Sequence, residues 1–199
     1  MSERTGELEG KVAVITGAGS GMGKASVATF VREGAKVVAA DFSGAEETTA
    51  DEVGEDVIAV HCDVTQETDV ENLVATAVKE FGRVDAMLNV AGIADGALVS
   101  EVTMEQYDKL FDVDMRGVVL GMKHAIRAMR ETGGGSIINW SSVGGLGASP
   151  GTAVYSAAKA GVNAATQVAA VECARMGIRV NAICPGLILT EIMGAAGAL

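Results

Sequence analysis

Several residue types are scarce in this sequence of 199 residues, and each shortage narrows what the chain is expected to do. Aromatic residues make up 4% and there are 2 prolines, so Val, Ile, Leu, Ala and Met must fill the core. Basic residues are outnumbered, 15 against 26 acidic ones, which gives a net charge of −11. Such an acidic chain is a poor partner for nucleic acid or for an anionic membrane surface.

Cysteine is scarce as well. The three cysteines, Cys62, Cys173 and Cys184, lie far apart and form no C-x-x-C pair. We therefore expect neither a disulfide framework nor a zinc knuckle, and a reducing cytoplasm fits this pattern. The His61-Cys62-Asp63 triplet is not expected to bind a metal, because adjacent residues of a strand point to opposite faces. No metal site is predicted.

Long apolar runs are also missing. No segment approaches the roughly 18 consecutive apolar residues that a membrane span needs, so no membrane partner is predicted. Residues 1–10 are rich in charge and hold no apolar run, so we expect no secretory signal peptide. These features predict a cytoplasmic protein.

Glycine and aliphatic residues are plentiful, and short apolar runs alternate with longer helical patterns. The predicted strands are 11–16, 35–41, 56–61, 84–89, 136–140 and 179–184. The predicted helices are 23–33, 68–81, 103–131 with one break near Asp114, and 151–176. Buried strands separated by helices are typical of a parallel sheet covered on both faces. The pattern predicts a Rossmann-like, doubly wound α/β fold that forms a single domain over 1–199.

A glycine-rich segment follows the first predicted strand and precedes the first predicted helix. Gly17 is expected to make the tight turn, Gly21 to let a pyrophosphate approach the backbone, and Gly23 to let the helix pack on the strand. The helix N-terminus then offers free N–H groups and the positive end of its dipole to phosphates. This placement favours a nucleotide-binding loop over a plain turn.

Acidic residues follow the next two predicted strands. A carboxylate at Asp41 accepts hydrogen bonds from both ribose hydroxyls of an adenosine and repels a 2′-phosphate. No Arg or Lys stands at Ala18, Ser20 or Phe42 to compensate, so the predicted cofactor is NAD rather than NADP. The Asp63-Val64 pair either meets the adenine ring or only caps a loop.

Tyr155 and Lys159 stand at i and i+4 on a predicted helix, which places both side chains on one face. A tyrosine titrates near 10, and a neighbouring ammonium is expected to lower the pKa of Tyr155. Tyr155 would then exchange a proton with an alcohol or carbonyl oxygen while a hydride moves to or from nicotinamide. Ser141 and Ser142 follow the fifth predicted strand, at the edge where doubly wound sheets bind ligands.

Six motifs in this order resemble the short-chain dehydrogenase/reductase family over nearly the whole chain. They are Thr16 to Gly23 (T-G-x-x-x-G-x-G), Asp41, Asn89-Val90-Ala91-Gly92, Asn139-Trp140-Ser141-Ser142, Tyr155 to Lys159 (Y-x-x-x-K), and Pro185, Gly186 and Thr190 (P-G-x-x-x-T). The resemblance implies an NAD-dependent oxidoreductase that transfers a hydride between NAD(H) and a secondary alcohol or ketone.

The resemblance also implies roles for single residues. The family's serine position selects Ser142 over Ser141, and its hydroxyl would hydrogen-bond the substrate oxygen. Lys159 would also hold the nicotinamide ribose. The residues implied for catalysis are Ser142, Tyr155, Lys159 and, through its backbone carbonyl, Asp114. Those implied for binding the cofactor are Gly17, Ser20, Gly21, Met22, Gly23, Asp41, Asp63, Val64, Asn89, Ala91, Gly92, Tyr155, Lys159, Pro185, Gly186 and Thr190.

Two departures from the family pattern stand out. Asp114 occupies a position where the family usually has Asn. A role of the backbone carbonyl tolerates this change, but the extra carboxylate is expected to perturb Lys159. Typical members also continue after the position of Thr190 with a substrate lid, a further strand and a helix. We therefore expect this sequence to be part of a longer protein.

Substrate and assembly are less constrained. The residues expected to face the substrate are small or apolar, which favours a neutral, mainly hydrophobic alcohol or ketone: Ile93, Ala94, Val143, Gly144 and Leu187. The many alanines of the last predicted helix and the resemblance imply a homo-oligomer, either a dimer or a homotetramer. The alternative functions are an NADP-linked 3-oxoacyl or carbonyl reductase and a non-catalytic NAD(H)-binding regulator.

Overall fold

The computed structural model describes residues 6–190 and has a six-stranded parallel sheet at its centre. The strands are Val12–Thr16 (β1), Lys36–Asp41 (β2), Val57–His61 (β3), Ala86–Asn89 (β4), Gly135–Trp140 (β5) and Ile178–Ile183 (β6). The helices are Gly21–Arg32 (α1), Ala45–Val53 (α2), Glu67–Phe81 (α3), Met104–Phe111 (α4), Gly117–Glu131 (α5) and Ala153–Cys173 (α6). Residues 1–5 and 191–199 of the predicted domain lie outside the described residues.

Both faces of the sheet are covered, as the apolar strands require. Val14 and Met87 belong to the core on the side of α3, α5 and α6. Their neighbours Ile15 and Leu88 belong to the core on the side of α1. The predicted doubly wound α/β fold is confirmed. Among residues 6–190, no helix has the length and apolar character needed to cross a membrane.

The structure contains one helix that the sequence analysis did not predict, α2. Its two buried residues are Glu46 and Thr49, both polar, so no apolar periodicity marks this helix. The next strand, β3, is predicted to be buried, but it lies at one edge of the sheet and its residues are only partly covered or exposed.

The long helix predicted with a break near Asp114 is continuous in the structure. At the position of the expected break, the helix changes from α-helical to π-helical winding. A π-helical segment, Asp112–Arg116, joins α4 to α5. The hydrogen bonds of such a segment span five residues instead of the four of an α-helix, and it is often found at functional sites. Here it includes Asp114, whose side chain is completely buried.

The strand order β3-β2-β1-β4-β5-β6 reverses direction between β1 and β4. The connections that leave these two strands run to opposite sides, which opens a crevice at the carboxyl edge of the sheet. The glycine-rich segment follows β1, residues 90–92 follow β4, and the two adjacent serines follow β5. The fold therefore gathers the predicted site residues at this edge.

Candidate active site

The glycine loop, residues 16–23, connects β1 to α1. A Cβ at Gly23 would overlap the carbonyl oxygen of Gly17, so only glycine allows the helix to start this close to the strand. The hydroxyl of Thr16 accepts hydrogen bonds from the backbone N–H groups of Val90 and Ala91, at 3.1 and 3.2 Å. These two bonds fix the glycine loop against the segment that follows β4.

The N-terminus of α1 is open to an anion. Ser20 precedes the helix, but its side chain makes no capping hydrogen bond, and the first turn holds no acidic residue. Thr190 stands beside this turn, since a Cβ on Gly21 would lie 3.3 Å from its Cγ2 atom. An open cavity of about 700 Å³ is lined by Gly21, Met22, Ala25, Ile188, Leu189 and Thr190. The structure thus brings the predicted Thr190 to the glycine loop.

Asp41 lies directly against the glycine loop at the end of β2. One carboxylate oxygen accepts the Gly19 N–H at 2.9 Å, and the other accepts the Ser43 N–H and hydroxyl at 2.9 and 2.7 Å. The carboxylate is therefore fixed in position. Thr49 of α2 supports the same loop by donating to the Ala18 carbonyl at 2.9 Å. The sequence analysis missed Thr49 because it missed its helix.

Other predicted cofactor residues differ in where their side chains point. Asp63 accepts the Thr65 N–H at 2.9 Å, as in the loop-capping interpretation, and contact with adenine stays a prediction. Asn89 is buried and donates to Asn139 at 2.7 Å, so its side chain lies in the core rather than in the crevice.

Two further predicted cofactor residues are placed by close packing or a backbone hydrogen bond. Val64 packs against Gly117. The carbonyl of Pro185 accepts the Val143 N–H at 3.0 Å, which joins the segment after β6 to the serine turn. Gly186, the next residue, is exposed.

The two adjacent serines have different surroundings. Ser141 is buried, and its hydroxyl donates to the carbonyl of Lys159 at 3.0 Å. Ser142 is partly exposed, and its hydroxyl accepts the Gly144 N–H at 3.0 Å. Ser141 therefore anchors the strand end to α6, whereas Ser142 presents its hydroxyl beside Tyr155.

Lys159 is buried with a charged partner. Its ammonium nitrogen donates to the Trp140 carbonyl at 3.2 Å and lies 3.6 Å from Asp114 Oδ1. The same Asp114 oxygen accepts the Ile93 N–H at 2.9 Å. A Cβ on Gly92 would come within 2.8 Å of this oxygen and 3.2 Å of the ammonium nitrogen. Gly92 thus leaves the space in which the ion pair sits.

The prediction that the pKa of Tyr155 is lowered is wrong, because in this structure the pKa is raised. Burial is the largest cause, and the negative charge of Asp114 raises the pKa further. A hydrogen bond with Ser142 acts in the opposite direction. The Lys159 ammonium lies 5.7 Å from the centre of the Tyr155 ring, and it forms an ion pair with the Asp114 carboxylate.

Two backbone groups of the site were also missed by the sequence analysis. The Trp140 carbonyl and the Ile93 N–H hold Lys159 and Asp114, but backbone groups have no side-chain pattern that could reveal them.

His61 is exposed while Cys62 is buried, and residues 6–190 contain no cluster of three potential metal-ligating side chains. Burial and nearby carboxylates raise the pKa of Cys62 to about 12, so its thiol is unreactive.

Several known proteins are similar to this chain in sequence. The sequence model of the family described as short chain dehydrogenase matches residues 11–198. An uncharacterized oxidoreductase of Mycobacterium bovis is 46% identical over 192 residues, which cover 94% of this chain and 78% of that protein. The mitochondrial borneol dehydrogenase of Lavandula x intermedia is 43% identical over 189 residues, covering 93% and 72%.

A solved structure is similar over most of the chain. The 3-ketoacyl-(acyl-carrier-protein) reductase of Brucella melitensis, crystallised with NADH, superposes with a TM-score of 0.93 at 36% identity. The match covers 96% of this chain and 81% of the reductase. On these grounds the chain belongs to the short-chain dehydrogenase/reductase family of oxidoreductases.

Proposed function

We propose that this protein transfers a hydride between NAD(H) and a neutral, apolar secondary alcohol or ketone. The observation that carries the proposal is the convergence of two sets of residues on one edge of the sheet. The glycine loop with Asp41 forms the first set, and Ser142, Tyr155 and Lys159 form the second. The crevice between β1 and β4 would hold the dinucleotide between them.

The residues present fit a nicotinamide dinucleotide. The open N-terminus of α1 would receive the pyrophosphate, and Asp41 would accept the adenosine ribose hydroxyls. Lys159 would hold the nicotinamide ribose, and the segment with Pro185, Gly186 and Thr190 would line the nicotinamide. When bound, the cofactor supplies or accepts the hydride.

Selection of NAD over NADP rests on the negative charge of Asp41. A 2′-phosphate would be placed next to this fixed carboxylate, and like charges at such a distance cost several kcal/mol. The similar reductase that was crystallised with NADH is compatible with this choice. A reductase specific for NADP would instead need a basic residue near the 2′-phosphate.

Neutralising Asp41 is expected to weaken the discrimination between the two cofactors. In the Asp41→Asn variant, the ratio of the Kd for NADPH to the Kd for NADH should fall by about tenfold or more, because the repulsion is lost while an oxygen acceptor for Gly19 remains. Calorimetric titration measures both constants. Glu47→Gln is the matched control, since it removes an exposed charge from the first turn of the neighbouring helix. An unchanged ratio in Asp41→Asn contradicts the proposed role.

Ser142, Tyr155 and Lys159 would provide the groups that interconversion of a carbonyl and an alcohol needs. Ser142 would donate a hydrogen bond to the substrate oxygen and stabilise its developing negative charge. Tyr155 would deliver a proton to that oxygen during reduction and remove it during oxidation. Lys159 would stabilise the tyrosinate while its own position is fixed by Trp140 and Asp114.

The two serines should respond differently to removal of the hydroxyl. Ser142→Ala should lower the turnover number by about 10²-fold or more, as loss of an oxyanion donor does, with little change in stability. Ser141→Ala should cost about 1 kcal/mol of stability and leave most of the turnover, because it loses only a structural hydrogen bond. Steady-state kinetics and urea unfolding of both variants test the assignment. Equal losses of turnover would overturn it.

The substrate class follows from the side chains around the serine turn and the segment after β6. Val143, Leu146 and Leu187 are 49%, 71% and 80% exposed in this structure. Residues 90–102, 141–152 and 184–190 contain no lysine or arginine that could bind a carboxylate or phosphate. A neutral apolar alcohol suits such a surface, and the similar borneol dehydrogenase is named for an alcohol of this kind.

A homo-oligomer is proposed on the exposed face of α6. Val168 and Val171 are 58% and 79% exposed on this helix, among several alanines. Small residues allow a second helix to approach closely, and burial of these valines would favour it. Light scattering of the purified protein measures the number of subunits.

A further inference from the structure

Neither the fold nor the proposed chemistry fully accounts for the carboxyl group of Asp114. One oxygen accepts the Ile93 N–H and faces the Lys159 ammonium at 3.6 Å. The other oxygen is buried and has no hydrogen-bond partner within residues 6–190. An asparagine would make the same bond to Ile93 without a charge. The local structure therefore does not require the negative charge that the carboxylate adds.

The ion pair is isolated from solvent and from other charges. The side chains of Lys159 and Asp114 are 5% and 0% exposed, so water screens their interaction very little. Within the part of the chain that the structure describes, neither makes a second ion pair. Tyr155 stands one helical turn before Lys159 in α6, and the Lys159 ammonium lies 5.7 Å from the centre of its ring.

Other charged groups on the elements around α6 are occupied or directed elsewhere. Asp112 and Arg116 of the π-helical segment pair with each other at 3.0 Å, and His124 of α5 lies beside Glu67 at 3.4 Å. The 3-10 turn Val143–Gly145 and β5 contribute no charged residue. Lys123 of α5 also pairs with Glu67. The remaining charged residues of α4, α5 and β6 are exposed, and they are Glu105, Asp108, Lys109, Arg127, Arg130, Glu131 and Arg179.

We propose that the Asp114 carboxylate is the counter-ion of Lys159, a positioning residue that sets how much positive charge Lys159 presents to Tyr155. The inference rests on the proposed function only for its consequence in catalysis. The ion pair itself is a property of the protein without substrate or cofactor, so it is testable separately.

The sign of the effect follows from the two charges that Tyr155 experiences. The ammonium favours the tyrosinate, and the carboxylate disfavours it. With Asp114 ionised, the two contributions partly cancel, and Asp114 raises the pKa of Tyr155. Burial raises the pKa of Asp114 above its ordinary value of 3.8, while Lys159 lowers it. At the alkaline pH where a tyrosine titrates, the carboxylate is ionised and the cancellation is fully present.

Ionisation of Tyr155 is directly observable because the chain has only two tyrosines. In a Tyr107→Phe background, Tyr155 alone contributes to the tyrosinate absorbance in the near ultraviolet. Adding Asp114→Asn should lower the pH midpoint of this absorbance by about one pH unit, the size expected for a charge at this range. Circular dichroism of the same samples identifies the pH range in which the protein stays folded.

Asp112→Asn is the matched control. It removes one negative charge from the same π-helical segment, but that charge is paired with Arg116 and partly exposed. It should leave the tyrosinate midpoint unchanged. A midpoint that is equal in Asp114→Asn and its parent would overturn the proposal, as would an equal shift in Asp112→Asn.

The pH profile of alcohol oxidation provides a second readout. In Asp114→Asn, the acidic limb of the kcat profile should move to lower pH, because Tyr155 loses its proton more easily. A merely structural role would lower kcat at every pH without moving the limb, and that result would overturn the proposal. If no alcohol is oxidised but the tyrosinate midpoint shifts, the proposed function fails and the counter-ion assignment stands. If alkaline unfolding precedes the tyrosinate transition, the kinetic limb alone decides.

Discussion

Replacement of Tyr155 by Phe is expected to lower the turnover number by about 10²–10⁴-fold, the usual contribution of a general acid–base group. The substitution removes only the hydroxyl, and the ring remains in its partly buried position beside Ser142 and Lys159. The Kd for NADH should therefore remain nearly unchanged. Steady-state kinetics with an apolar secondary alcohol and an NADH titration measure the two quantities.

The protein contains a suitable control for this experiment. Tyr107 is the second tyrosine, lies on α4 and stacks on Phe111 at 4.4 Å between ring centres. Tyr107→Phe should retain full turnover. If Tyr155→Phe also retained full turnover, the acid–base role of Tyr155 would be contradicted. Binding of NADH without turnover by the unmodified protein would instead favour a non-catalytic NAD(H)-binding regulator.

Replacement of Lys159 by Met is expected to reduce the free energy of unfolding by about 3 kcal/mol at neutral pH. The substitution leaves the buried Asp114 charge without its partner, and breaking one side of a buried pair has this order of cost. Lys24→Met is the matched control, because Lys24 pairs with Glu52 at 2.7 Å on the surface. Exposed ion pairs contribute little, so its effect on urea unfolding should be much smaller.

The loss in Lys159→Met should depend on pH. Burial already raises the pKa of Asp114, and removal of Lys159 leaves the hydrogen bond from the Ile93 N–H to oppose that rise. A carboxyl whose pKa is raised in the folded state destabilises it when ionised, and the destabilisation shrinks as the pH falls and the native state takes up the proton. The double variant with Asp114→Asn should recover part of the loss at neutral pH. A loss that is independent of pH, with no recovery in the double variant, would contradict the counter-ion role of Asp114.

The sequence could predict the sheet because its central strands are continuous apolar runs that both faces of the sheet bury. It could not reveal α2, since the inward residues Glu46 and Thr49 are polar and interrupt any apolar periodicity. It overestimated the burial of β3, because strand order decides which strand lies at the edge and no residue of β3 encodes that position. Local sequence patterns thus predicted most of the strands and helices, while the tertiary arrangement determined how deeply each of them is buried.

The candidate site was predictable to a similar extent. The spacing of Tyr155 and Lys159 placed them on one face of α6, as the structure has them. The sign of the shift in the pKa of Tyr155 was not predictable from that spacing. It depends on burial and on Asp114, which comes from a π-helical segment some forty residues earlier and reaches the site only in the folded chain. The structural role proposed for Ser141 and the catalytic role proposed for Ser142 likewise depend on which hydroxyl the fold buries.

Titration of the purified protein with NADH and, separately, with NADPH shows whether the crevice binds a dinucleotide and which one it prefers. Trp140 is the single tryptophan, and its indole N–H lies 3.4 Å from the Met22 sulfur in the glycine loop, so its fluorescence should respond to an occupied crevice. We expect saturable quenching by NADH at concentrations where NADPH has little effect. Equal or tighter binding of NADPH would contradict the role of Asp41, and no response to either dinucleotide in fluorescence or calorimetry would contradict the assignment of the crevice as a cofactor site.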